Sequence, residues 1–84
     1  MKIFFVYILR SEKDGNYYTG LTTNLDRRIK EHNKQKSSTI STKARNNFKL
    51  VYYEIHKNRN EARKRELFWK SGYGREIRDQ VFST

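Results

Sequence analysis

The fold this sequence predicts is a mixed α/β domain of the α+β kind. It is a three-stranded antiparallel sheet with flanking helices in the order ββαβαα. Three observations predict it. Lys2–Arg10, Tyr17–Leu21 and Phe48–His56 are strand-length runs rich in aromatic and β-branched residues. Lys13-Asp14-Gly15-Asn16 joins the first two through an Asp-Gly pair, which supplies the positive φ of a tight hairpin turn. Elsewhere, apolar residues recur three and four apart, the spacing of helices that dock one face.

Taken in order, the first strand carries Ile3, Phe5, Tyr7 and Leu9 on one face and Phe4, Val6 and Ile8 on the other. A strand apolar on both faces needs cover on both, which puts it in the middle of the sheet. The second strand returns antiparallel, and Gly20 within it marks a close approach of backbone or ligand. Asn24 is placed to cap the first helix, with Asp26 near its positive end, and the helix runs to about Asn33. Leu25 and Ile29 dock it on the sheet, while Arg28 and His32, also four apart, share a second stripe. From Gln35 to Asn47 there is no periodicity, and the segment reads as a Ser-, Thr- and Lys-rich loop that contains Lys43 and Arg45. Asn60 reads as the cap of the next helix, which runs through Ser71 and is stopped by Gly72. Its apolar residues are Ala62, Leu67, Phe68 and Trp69, and Glu66 stands among them on an inward face. A short helix over Arg75–Phe82 closes a single domain spanning residues 1–84.

Charge narrows the function. With 19 Lys and Arg against 9 Asp and Glu, the 84 residues carry a formal net charge of +10. Such an excess costs stability through self-repulsion and suits a polyanionic partner, nucleic acid first. There is no cysteine, so neither a disulfide nor a thiolate zinc site holds the fold. Apolar residues reach only 35%, and the 14% aromatic content makes up buried area. The apolar run Ile3–Leu9 falls well short of the ~20 residues of a membrane span, and no small-residue cleavage site follows Arg10. The expectation is a soluble, cytoplasmic monomer with no membrane segment.

Tyr7 and Tyr18 in consecutive strands, Arg28 and His32 on the next helix, and the later Glu66 form an ordered set able to handle protons and phosphate charge. In that order the chain resembles the GIY-YIG nucleases over nearly its whole length. The half-motifs stand as Phe5-Val6-Tyr7 and Tyr18-Thr19-Gly20. The family's arginine, ten residues past the second tyrosine, falls on Arg28, and the histidine one helical turn later on His32. The metal-binding glutamate in the helix after the third strand falls on Glu66. Phe48–Glu54 and Lys70–Glu76 are similar to segments of the small standalone bacterial members. Two positions depart: Phe5 stands where the motif's name has glycine, and Leu21 where some members carry a lysine that helps activate the tyrosine.

The resemblance implies a metal-dependent endonuclease that cleaves phosphodiester bonds, of DNA ahead of RNA, in a setting such as DNA repair. Glu66 would hold Mg²⁺ (or Mn²⁺), with water and phosphate filling the other positions. Arg28 offers a planar fork that matches phosphate geometry. Tyr7 would be the general base, which requires a nearby cation to pull its phenol below the usual pKa of about 10. Tyr18 and His32 would orient the attacking water or relay its proton, and Lys43 and Arg45 would bind phosphates. Each residue also has an ordinary reading: strand tyrosines pack, helix arginines are solvated, and Glu66 can pair with Lys70 one turn on. A catalytically inactive, basic nucleic-acid-binding module on the same scaffold is the alternative; a basic protein that binds a protein partner or the ribosome is the third. Substrate choice would rest on the Gln35–Asn47 loop, on surface charge or on a protein partner.

Overall fold

The computed structural model describes residues 2–12, 14–34 and 48–82; Lys43, Arg45 and the loop expected over Gln35–Asn47 lie outside the described residues. The central position expected for the doubly apolar strand is observed. β1 (Phe4–Ser11) pairs antiparallel with β2 (Tyr17–Thr22) on one edge and with β3 (Phe48–His56) on the other, giving the order β2-β1-β3. Gly15, at φ 77°, makes the hairpin turn between β1 and β2. Val6, Tyr7, Ile8 and Leu9 of β1 are fully buried. With α1 (Leu25–Lys34), α2 (Arg59–Lys70) and α3 (Gly72–Phe82), the order is ββαβαα, as the sequence predicts.

Strand alternation divides the labour. Val6 and Ile8 face α2, where they form a core with Ala62 and Trp69; Phe4, Leu21, Tyr52, Phe68, Ile77 and Phe82 pack around it. The rings interlock, with Tyr52 lying 5.4 Å from both Trp69 and Phe82 between centroids. Tyr7 and Leu9 face the other way, toward α1. Register carries this across the hairpin: Leu9 stands opposite Tyr18 and Tyr7 opposite Gly20, so Tyr18 shares the α1 face. A register shift at Ile8/Leu9 breaks the ladder to β3.

Three helix boundaries differ from expectation. Asn24 caps α1, its Oδ1 accepting from the Arg27 amide at 3.0 Å. For α2, however, the cap is Asn58 and not Asn60: Asn58 Oδ1 accepts from the Glu61 amide at 2.8 Å, and Asn60 lies in the first turn. The Asn-x-x-Glu spacing from Asn58 is the physical reason, since it puts an acidic residue at the third helical position. Gly72 does not stop α2. Ser71 does, with extended backbone, its amide and hydroxyl both donating to Phe68 O. Ser71 Oγ also accepts from the Gly74 amide at 3.1 Å, so α3 begins at Gly72 instead of Arg75.

One polar cluster locks α2 onto the sheet. Glu54 of β3 stands opposite Val6 and accepts from Arg65 Nη2 at 2.6 Å, Tyr52 Oη at 2.7 Å and Trp69 Nε1 at 3.0 Å, with His56 Nε2 2.9 Å away. Burial alone would raise its pKa. The hydrogen bonds from Arg65, His56, Tyr52 and Trp69 outweigh that and hold the carboxyl at about 2, below its ordinary 4.5. Since the folded value lies below the unfolded one, the stability it contributes is complete above about 4.5 and lost as pH falls toward about 2. The contribution is about 3 kcal/mol at most. Denaturant titrations across that window should show the wild type losing stability. Glu54→Gln should start ~2–3 kcal/mol lower and stay nearly flat. Parallel curves for the two proteins would remove Glu54 from this role.

Candidate functional site

Tyr7 lies on the central strand, directly opposite Gly20 of β2. A Cβ built at Gly20 would stand 2.6 Å from Tyr7 Cζ and 3.0 Å from Cε2, and closer still to the hydroxyl. The glycine is therefore required by close approach: the phenol ring passes over the place where any other side chain would begin. What the sequence leaves open at Gly20, backbone or ligand, is the ring of Tyr7.

The Tyr7 hydroxyl then meets α1. Arg28 Nε donates to it at 3.3 Å, and His32 Nε2 lies 3.3 Å from it. Arg28 can only donate. The phenol's own proton is thus left for His32, whose Nε2 accepts it when that nitrogen carries no proton. Arg28 is braced by Glu31, Nη1 to Oε1 at 3.3 Å, and its side chain keeps 45% exposure. The His32 ring packs edge-on against Tyr18 at 4.5 Å and Phe48 at 5.7 Å between centroids. Tyr18 itself is 40% exposed beside Tyr7. Four of the five expected residues, Tyr7, Tyr18, Arg28 and His32, thus form one contiguous group on the α1 face of the sheet.

Glu66 comes from the other side, on α2. It is buried, and Lys70 Nζ donates to its Oε2 at 3.0 Å, the one-turn pair that the spacing allows. Arg63 Nη1 lies 3.6 Å from Oε1, beyond hydrogen-bond reach, and Oε1 is buried with no hydrogen-bond partner among the described residues. The carboxylate is close enough to Tyr7 to push its phenol upward. Leu21, at the position where a lysine would stand, packs toward the Val6 core and so is turned away from Tyr7.

Burial raises the Tyr7 pKa above 10.0; the Arg28 hydrogen bond lowers it, and the Tyr18 phenol raises it again. The net direction is up. Arg28 by itself does not produce the depressed phenol that a simple base would need, because its one proton is outweighed by desolvation.

No group of three or more His, Cys, Asp and Glu that could hold a metal exists among the described residues. A cation here would rest on Glu66 alone. The donor fits: a hard carboxylate oxygen, buried and lacking a hydrogen bond, suits Mg²⁺ or Mn²⁺ with water and phosphate as the remaining ligands. Residues that the sequence reading missed are Glu31, which braces Arg28, and Glu54. Glu31 was findable from its three-residue spacing to Arg28.

The GIY-YIG catalytic domain model matches residues 3–78. A UPF0213 protein of Desulfotalea psychrophila is 48% identical over 63 residues, covering 75% of this chain and 56% of that protein. The chain thus spans just over half the length of that relative. A UPF0213 protein of Clostridium perfringens is 46% identical over 66 residues, 79% of this chain and 69% of the relative. The solution NMR structure of a UPF0213 protein from Bacillus halodurans superposes with a TM-score of 0.57 at 35% identity, covering 95% of this chain and 85% of that one.

Two measurements test the geometry. Gly20→Ala should destabilise the domain by ~1–3 kcal/mol, the usual range for overpacking, and shift the Tyr7 ring signals in an NMR spectrum. Tyr7 should ionise above 10.0 in a metal-free titration, and Arg28→Ala should move it higher still, since a lowering partner has gone. As a folded pKa above the unfolded one, it contributes stability that is present below pH 10 and lost as pH rises through the folded value.

Proposed function

This chain belongs to the GIY-YIG family, whose domain is of nuclease type, and from that premise we propose that it hydrolyses phosphodiester bonds within DNA with a divalent cation. The observation that carries the reading is the meeting of Arg28 and His32 at one Tyr7 hydroxyl, each 3.3 Å away. The formal charge of +10 supports a polyanionic substrate. No helix among the described residues is long and apolar enough to cross a membrane.

Hydrolysis requires that an attacking water lose a proton and that charge on the phosphoryl oxygens be neutralised. Tyr7 serves the first need without ionising. Its oxygen takes the water's proton as its own proton passes to His32 Nε2, so the imidazole is the final base and the raised phenol pKa is no obstacle. Imidazole is the side chain best matched to neutral pH for this. Arg28 fixes the phenol through Nε and presents the exposed remainder of its fork to phosphate. Tyr18 packs the imidazole in place. A divalent cation on Glu66, Mg²⁺ or Mn²⁺, supplies further positive charge at the phosphate when bound. Glu66 would hold it through the carboxylate to which Lys70 donates.

The test is a cleavage panel of branched and linear DNA and RNA with Mg²⁺, Mn²⁺ or EDTA. DNA should be nicked with either cation and left intact in EDTA. Glu66→Gln should abolish nicking while binding is kept or improved, because a negative charge facing the phosphate is gone. Tyr7→Phe should fold, losing ~0.5–1.5 kcal/mol, and cleave ~10²-fold more slowly or worse. The wild-type rate should show no rise with pH through ionisation of a phenol, because Tyr7 acts as the neutral phenol and its pKa is raised by burial. Turnover near wild type by either variant returns that residue to packing or surface pairing.

A further inference from the structure

Around the edge of β2 from Tyr7, a cavity of about 390 Å³ opens where α2 and α3 meet the strand. Tyr17, Tyr18, Thr19, Lys70, Arg75 and Arg78 are in its lining. Three cations and no carboxylate line it. The cavity at Arg10 and Lys49 has Glu12 and Asp14 in its own lining, whereas here the carboxylates paired with Lys70 and Arg78, Glu66 and Asp79, are not among the lining residues.

The basic wall is held in shape. Arg78 lies over the Tyr17 ring, 4.5 Å from its centroid, while Nε and Nη2 donate to Asp79 at 3.1 and 3.0 Å, and its side chain is only 17% exposed. Arg10 approaches the same ring at 5.5 Å. The Tyr17 hydroxyl is buried with no hydrogen-bond partner among the described residues. Arg75 makes no ion pair among the described residues, and its side chain stands at an exposed position. The Arg75 guanidinium fork, flanked by the Lys70 ammonium and the Arg78 guanidinium, matches the non-bridging oxygens of a phosphate.

The cavity adjoins the reaction site at two points: Tyr18 belongs to both, and Lys70 is hydrogen-bonded to Glu66. We propose that it is a phosphate subsite, which takes a backbone phosphate of the substrate strand flanking the bond to be cleaved. The proposal rests on the phosphodiesterase reading of the neighbouring site. It adds to that reading the direction of the strand: across the β2 edge and onto α3.

Single methylphosphonate replacement tests it, since this removes one phosphate charge at a time. Binding of a DNA strand to the whole protein is measured by fluorescence anisotropy in EDTA, so no turnover is needed. Arg75→Ala is the variant of choice, because Arg78 also clamps Tyr17; thermal melting checks its fold, and Arg75→Lys restores charge without the fork. One neutralised position should cost the wild type about tenfold in Kd. At that position alone Arg75→Ala should be nearly indifferent, with Arg75→Lys in between. Additive losses at every position overturn the proposal, as does coupling shown only by strands that end there in a terminal monophosphate. Cleavage with additive binding loses the subsite alone. Coupling at one phosphate without metal-dependent cleavage loses the proposed reaction alone.

Discussion

The Tyr7 hydroxyl is the constraint from which both fold and site follow. A phenol on the central strand of a small domain is buried whatever its chemistry, and a buried hydroxyl without partners costs ~1–3 kcal/mol. The chain meets that need from α1, with Arg28 and His32 one turn apart, so the docking of the helix and the satisfaction of the phenol are one event. Gly20 follows from the same demand, since only a residue without Cβ lets the ring reach across β2. The groups that the proposed reaction uses are thus also groups that the fold needs.

The opposite face is organised by a second polar node with the reverse character. Glu54 is fully engaged, by four side chains, and Arg65 is its principal partner. Arg65 and Glu66 are consecutive on α2 and so point ~100° apart around the helix. Fixing Arg65 against β3 therefore fixes the rotation of α2 and with it the direction of Glu66. Glu54 is satisfied and closed. Glu66, with one buried oxygen lacking a hydrogen bond, is open to a further ligand.

How much was legible in the sequence varies with the physics involved. The element order, the central place of β1 and the Asp-Gly turn followed from local pattern and came out as expected. Arg28 and His32 sharing a face followed from helical spacing alone. The cap of α2 was misplaced because two asparagines two residues apart offer the same chemistry, and only the reach of Asn58 to Glu61 separates them. Ser71 was hidden behind Gly72, the more familiar helix stop, although its hydroxyl serves both helices. The Glu54 node was not legible at all. Its donors come from β3 and α2, and a pairing between elements leaves no mark in either one's periodicity.

The direction of the Tyr7 pKa carries the last step. A base that had to ionise would be opposed here by burial and by Tyr18, with one arginine hydrogen bond against them. A phenol that passes a proton on is helped by the same surroundings, because they keep it neutral and fix its two hydrogen bonds in direction. Arg28 occupies the oxygen as a donor, and this aims the phenol's own proton at His32. On this reading, a lysine beside Tyr7 is dispensable, and Leu21 is free to face the core. Desolvation, which is unfavourable for a phenolate, becomes a positioning device for a relay.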